Sequence, residues 1–141
     1  MTPPHGPVVG IVGAGQLARM MVPAAQALAI RLRVLALDPD EAAAQVIPDV
    51  VLGSHTDLDA LRQLAEGCDV VTFDHEHVPQ HLLAALQADG VVLRPGPVAL
   101  AHTQDKLHMR QAMADLGLHV PRFAAVSSVD EVVDHGQAWG W

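Results

Sequence analysis

The residues best able to do chemistry stand near the start of the chain. Gly13-Ala14-Gly15-Gln16-Leu17-Ala18 fits the pattern G-x-G-x-x-G/A between an apolar run and a helical pattern, the setting such a loop requires. Its glycines let the backbone turn tightly and approach a ligand, and the helix that follows offers free N–H groups to an anion. Asp38 comes 25 positions after Gly13, where a dinucleotide-binding domain puts the acid that holds a ribose. On these residues alone, binding of a nicotinamide dinucleotide and a purely structural tight turn are equally good readings.

A second group of chemically capable residues lies at Phe73-Asp74-His75-Glu76-His77-Val78-Pro79. With His81 it forms the only histidine cluster in the sequence. A zinc site needs three or four ligands converging on one point, and Pro79 is expected to turn the chain before His81 can join, so no metal site is expected. His5, His55, His102, His108, His119 and His135 are scattered along the chain. Cys68 is the single cysteine, which excludes an internal disulfide and a CxxC pair; beside a strand start it reads as a small buried hydrophobe. Ser54, Ser127 and Ser128 stand where caps and turns want hydroxyls, and no Ser/His/Asp arrangement follows from their spacing.

Composition narrows the partners. Half of the 141 residues are apolar, 17% are charged and the net charge is −8. That is globular, and too acidic for a binder of the nucleic-acid backbone, whose affinity comes from Lys and Arg. A small anionic substrate remains compatible, because one helix start and a few local cations can hold a phosphate. No membrane span is expected, because no stretch approaches the roughly 20 apolar residues that one needs. No Lys or Arg precedes Val8, so the apolar start is not read as a secretory leader, and a cytoplasmic setting is the default.

Elements able to position these residues alternate regularly. Strands are expected at 8–12, 33–37, 49–52, 69–73 and 91–93, each dense in Val, Leu or Ile, as in a parallel sheet buried on both faces. Helical spacing links Leu17, Met20 or Met21, Ala24 and Leu28, with Pro23 expected to kink that helix. Thr56 and Asp59 resemble a capping box ahead of Leu58, Leu61, Leu64 and Ala65. Pro79 opens the next helix and Gly90 closes it. A long helix capped at Thr103 carries Leu107, Met109, Met113 and Leu116, with Gly117 as its stop. Met20, Met21 and Met113 are expected in the core. A sixth strand is expected at 122–126, followed by a helix opened by Ser128 and Glu131.

The expected fold is therefore α/β, with a five-stranded parallel sheet flanked by helices. Residues 1–100 form the Rossmann-like domain, 101–121 a connecting helix and linker, and 122–141 the incomplete start of another unit. Trp139 and Trp141 end the chain with little after them to pack against, so a fragment of a longer protein is expected.

Three stretches in register carry a resemblance. Gly13 to Met21 resembles the G-x-G-Q-L-x-R-M signature of the 5-(carboxyamino)imidazole ribonucleotide synthase family. Phe73 to Pro79 resembles its F-E-x-E-x-V-P segment. Gln104-Asp105-Lys106-Leu107, followed by Leu116 to Pro121, resembles its Q-D-K-L helix and the linker into the ATP-grasp unit. The likeness implies a pre-ATP-grasp domain that binds no dinucleotide, at the amino-terminal end of an ADP-forming ligase of purine biosynthesis. That ligase joins bicarbonate to the amine of 5-aminoimidazole ribonucleotide, using ATP and Mg2+ and passing through carboxyphosphate, and the family implies a homodimer.

By the same resemblance, Gly15, Gln16, Leu17 and Glu76 would face the nucleotide substrate, and Lys106 would steady the ATP phosphates. The catalytic and magnesium-binding residues would lie outside these 141 residues, leaving the chain alone inactive. Asp74 stands where the family usually has Glu, and His77 where it often has Asn. Each assignment has a plainer counterpart: Gln16 and Arg19 as solvated helix positions, Glu76 as an acid at a helix start, Lys106 as an exposed helical lysine. Two rival functions stand beside the ligase. One is a nicotinamide-binding domain resting on the glycine loop and Asp38; the other is a non-catalytic module using Trp139 and Trp141 at an interface. A formate-using transformylase of the same group ranks lower, because it has Glu where this chain has Gln16.

Overall fold

The computed structural model describes residues 6–140; most of the Pro/Gly-rich leader, His5 and Trp141 lie outside them. Two compact units follow one another, Met1–Gln104 and Asp105–Trp141.

In the first unit, β1 (Val8–Val12), β2 (Arg31–Ala36), β3 (Asp49–Leu52) and β4 (Val70–Phe73) form one parallel sheet in the order β3-β2-β1-β4. Ile11 pairs with Val34 on one side and Thr72 on the other. Side chains alternate between faces along a strand, and β1 uses both. Val12 points into a core with Leu35, Leu61, Leu64, Leu83 and Leu86, under α3 (Leu58–Ala65) and α4 (Gln80–Ala88). Ile11 points the other way, into a core with Ala14, Ala18, Val34, Ala43 and Ile47. Apolar runs buried on both faces thus yield the doubly wound architecture.

The sheet has four strands, not the expected five. At 91–93 only an isolated bridge forms, Val71 to Leu93. Val71 N–H donates to Val92 and Arg94 N–H to the carbonyl of Val71, both at 2.9 Å. Between Gly90 and Pro95 there is no room for more, and Pro95 has no N–H to extend a ladder.

Local chemistry moves several helix boundaries. Pro23 divides the expected first helix into α1 (Gln16–Met20) and α2 (Val22–Ala27) and sits in the first turn of α2, where its missing N–H costs nothing. On these short helices the alanines Ala18 and Ala25 are buried, while Leu17, Met20 and Leu28 are exposed, so Met20 is not a core residue. The cap of α3 is Asp57, whose carboxylate accepts from Asp59 and Ala60 N–H, worth about 1 kcal/mol. Thr56 instead bonds Ser54 through its hydroxyl.

The long helix expected from Thr103 is two helices, α5 (Pro97–Gln104) and α6 (Lys106–Asp115). Asp105 separates them, accepting from His108 N–H at 2.9 Å. In the second unit, Ser128 caps α7 (Val129–Trp139) by accepting from Glu131 N–H, and the Glu131 carboxylate accepts in return from Ser127 N–H. Those bonds hold that carboxyl below its ordinary pKa. Residues 122–126 form no strand: a strand exists only by pairing, and this unit offers no partner strand among the described residues. Neither α6 nor α7 buries a residue fully. Trp139 is partly covered, by His135 at 4.7 Å between ring centroids and by the Arg122 guanidinium at 5.4 Å.

Candidate functional site

The order β3-β2-β1-β4 places the switch in winding direction between β1 and β4, and crevices at the carboxyl ends of such strands are where α/β folds bind ligands. Two loops meet there, 13–15 after β1 and 74–79 after β4. Asp74 joins them. Its backbone N–H donates to Val12 and its Oδ2 accepts the N–H of Gly15 at 2.9 Å. The carboxylate is 7% exposed. Gly13 has φ +108°, and a Cβ there would overlap the Asp74 carboxylate. Asp74 therefore fills the space above the glycine loop where a dinucleotide would put its pyrophosphate. An incoming phosphate would have to displace a nearly buried like charge. Glu41 Oε1 accepts from Leu37 and Asp38 N–H, whereas Asp38 is turned to Asp40 N–H.

Around the loop lies a recess of about 280 Å3, lined by residues 13–15, Leu35, Leu37, Glu41, Gly53, His55, Asp74, His75 and His77. His55 was not legible as part of any cluster, yet its ring lies 4.8 Å from that of His75 in an edge-on contact. His75 and His77 stack at 5.3 Å. His81 sits exposed on α4. Burial depresses the His75 pKa, opposed by Asp74 and reinforced by the other two imidazoles. Among the described residues no group of three His, Cys, Asp or Glu is arranged to hold a metal ion.

Glu76 faces a second recess, of about 270 Å3, with His77, Val78, Pro79 and Gln104. His77 lines both recesses. Glu76 is half-buried, and it lies before α4, whose first turn contains no acid, so a helix-start role does not account for it. Gln104, quoted in a motif but given no role, is what holds this loop. Its Nε2 donates to the carbonyls of Glu76 and Val78 at 2.8 and 2.7 Å, and its Oε1 accepts from Gln80 at 2.9 Å. Gln16 and Leu17 are exposed at the start of α1 and line neither recess. Arg19 donates to the carbonyl of Ala42.

A family model for the ribonucleotide synthetase pre-ATP-grasp domain matches residues 7–104. The chain belongs to this family. Among its relatives is the N5-carboxyaminoimidazole ribonucleotide synthase of Mycobacterium tuberculosis strain H37Rv, 59% identical over 126 residues. The match covers 89% of this chain but 29% of the relative. Solved structures agree. An ADP complex of N5-carboxyaminoimidazole ribonucleotide synthetase superposes with a TM-score of 0.84 at 30% identity, over 97% of this chain and 36% of that one. The Aspergillus clavatus synthase in complex with ADP and 5-aminoimidazole ribonucleotide gives 0.79 at 32%, over 97% and 37%. The chain thus spans about a third of the length of the proteins it matches.

Within this pre-ATP-grasp domain, the glycine loop is a docking point for Asp74, and the two loops form one hydrogen-bonded platform. Lys106 lies just beyond the matched segment. It is exposed at the first position of α6. With Leu107, Arg110 and residues 123–126 it lines a groove of about 400 Å3 in the second unit.

Proposed function

We propose that this chain is the amino-terminal part of an ADP-forming ligase that carboxylates 5-aminoimidazole ribonucleotide with bicarbonate and ATP. The observation that carries the reading is the platform at the switch point. The glycine loop is closed to a pyrophosphate by Asp74 while the neighbouring Glu76 is left half-buried and available. Gly15, Gln16 and Leu17 supply backbone and amide groups on one side, and Glu76 accepts from a substrate hydroxyl or amine on the other. Lys106 steadies the ATP phosphates. Residues 122–141 begin an ATP-grasp unit that the rest of such a ligase completes.

By the same reading, the Mg2+ ligands, and the phosphoryl-transfer chemistry the ion supports, belong to the longer protein. That protein would be a cytoplasmic homodimer acting on small molecules rather than nucleic acid. No helix among the described residues is long and apolar enough to cross a membrane.

Titration of the 15N-labelled chain with 5-aminoimidazole ribonucleotide tests the reading. The amides of Gly15, Gln16, Leu17 and Glu76 are expected to shift. Glu76→Gln should weaken binding about tenfold, the loss of one charge-assisted hydrogen bond of about 1.5 kcal/mol. No product should form with ATP and bicarbonate. Saturable NADH binding with fluorescence enhancement, and no response to the ribonucleotide, would move the assignment to a nicotinamide domain.

A further inference from the structure

The His75 ring is held by a hydrogen bond at Nδ1 and has a carboxylate near Nε2. Its Nδ1 accepts the backbone N–H of His77 at 3.2 Å, which fixes the neutral ring as the tautomer protonated on Nε2. Nε2 in turn faces Asp74 Oδ1 at 3.9 Å. His55, from the loop after β3, contacts the ring edge-on, and His77 stacks on its face. The ionisable groups around it are Asp74, Glu76 and His77 from its own loop, His55 from the next loop, and Glu41 across the recess. No Lys or Arg lines that recess.

We propose that His75 is a proton-operated positioning residue. As a neutral ring it latches the loop between Asp74 and Val78, and as an imidazolium it releases it. The consequence for substrate rests on the reading of Glu76 given above, while the latch itself does not. Protonation places the new proton on Nδ1, using the lone pair that accepts from His77. That hydrogen bond breaks, and two N–H groups repel each other where one donor met one acceptor. The imidazolium is also drawn to Asp74 Oδ1, on the carboxylate whose Oδ2 accepts the Gly15 N–H, so the Gly15 amide senses the charge. The turn from His75 to His77 beside Glu76 therefore loosens, while Gln104 keeps its hold on the Glu76 and Val78 carbonyls.

The sign of the linkage is fixed by burial, which lowers the folded pKa of His75 below the ordinary ~6.5. In that window the unfolded chain binds more protons than the folded one. The stabilisation from the neutral ring is complete above about pH 6.5 and is lost as the pH falls through the folded pKa.

Histidine-ring and amide NMR of the 141-residue chain provides the test. The Nε2–H tautomer is expected above the midpoint, with the His77 and Gly15 amides shifting along the His75 titration. His55→Ala should raise the His75 midpoint, since it removes a neighbouring imidazole and uncovers the ring. His75→Asn can accept the His77 N–H through its Oδ1 but cannot titrate. It should remove the part of the His77 amide response that follows the His75 ring and flatten the pH dependence of ribonucleotide affinity. An Nδ1–H tautomer, a His77 amide that ignores the His75 titration, or an unchanged amide response in His75→Asn would overturn the latch. A working latch with the same pH slope of affinity in both proteins would overturn the positioning role. Indifference of Glu76→Gln to the ribonucleotide at every pH would instead sink the substrate reading, with the His77 amide still deciding the latch.

Discussion

Gly13→Ala is expected to cost the first unit about 3 kcal/mol and to expel Asp74 from the glycine loop. Two independent terms lead there. At φ +108° a residue with a Cβ is strained by roughly 1–3 kcal/mol. The new methyl group would also overlap the Asp74 carboxylate, which must then give up the Gly15 N–H it holds at 2.9 Å. Leaving that donor without its partner costs about 1–3 kcal/mol more. A double-mutant cycle in urea separates the two. Asp74→Ala removes the overlap and the hydrogen bond together, so Gly13→Ala made in that background should cost only the backbone strain. The two changes should therefore be clearly sub-additive, with the Gly15 amide resonance displaced in each single variant. Strict additivity, or a loss below about 1 kcal/mol for Gly13→Ala, would mean that Asp74 does not occupy the loop in solution.

The same pair of residues marks how far the sequence alone could be read. β1 and the turn after it are legible because both signals are local: an apolar run and glycines at fixed spacing. What the turn receives is not local. Asp74 is 59 positions from Gly15, and the G-x-G-x-x-A pattern is the same whether an incoming phosphate or the chain's own carboxylate fills it. The histidine cluster was half-legible for the same reason. His75 and His77 are neighbours in sequence, whereas His55 reaches them only because β3 and β4 run parallel and end on the same side of the sheet.

Boundaries went astray where two local signals competed. Thr56 and Asp57 both can cap, and the carboxylate, with its charge next to the helix start, wins. Met20 sits at a helical spacing suited to a core, but the close approach of α1 to the sheet admits only Ala18. The expected strand at 91–93 has the right composition and too little length before Pro95. Residues 122–126 have strand composition as well, and what they lack among the described residues is a partner.

Leu64→Ala is the second large effect, at about 2–5 kcal/mol. The two faces of the sheet are built differently. The face under α1 and α2 is filled mainly by alanines with Ile11, Val34 and Ile47, so little volume can be deleted there. The opposite face carries the large side chains, and Leu61, Leu64, Leu83 and Leu86 are all essentially inaccessible. Leu64 of α3 lies over Gly10 of β1. A Cβ on Gly10 would meet Cys68 Sγ at 3.1 Å, Val71 at 3.3 Å and Leu64 at 3.5 Å. The absence of a side chain at Gly10 is thus what lets the helix settle, and Leu64 closes the gap. Truncating it leaves a cavity that the strand below cannot fill by moving, because β1 is held in register by neighbours on both sides. For a domain whose whole stability is on the order of 5–15 kcal/mol, that is a large fraction. Cys68 reports it independently. Its thiol donates to the Leu64 carbonyl at 3.1 Å, and burial holds its pKa up. Leu64→Ala should therefore lower the urea midpoint and speed thiol modification of Cys68 together. A large loss of stability with unchanged thiol reactivity would place the weakened packing elsewhere, and a loss under about 1 kcal/mol would mean that the α3 face is not where this unit keeps its stability.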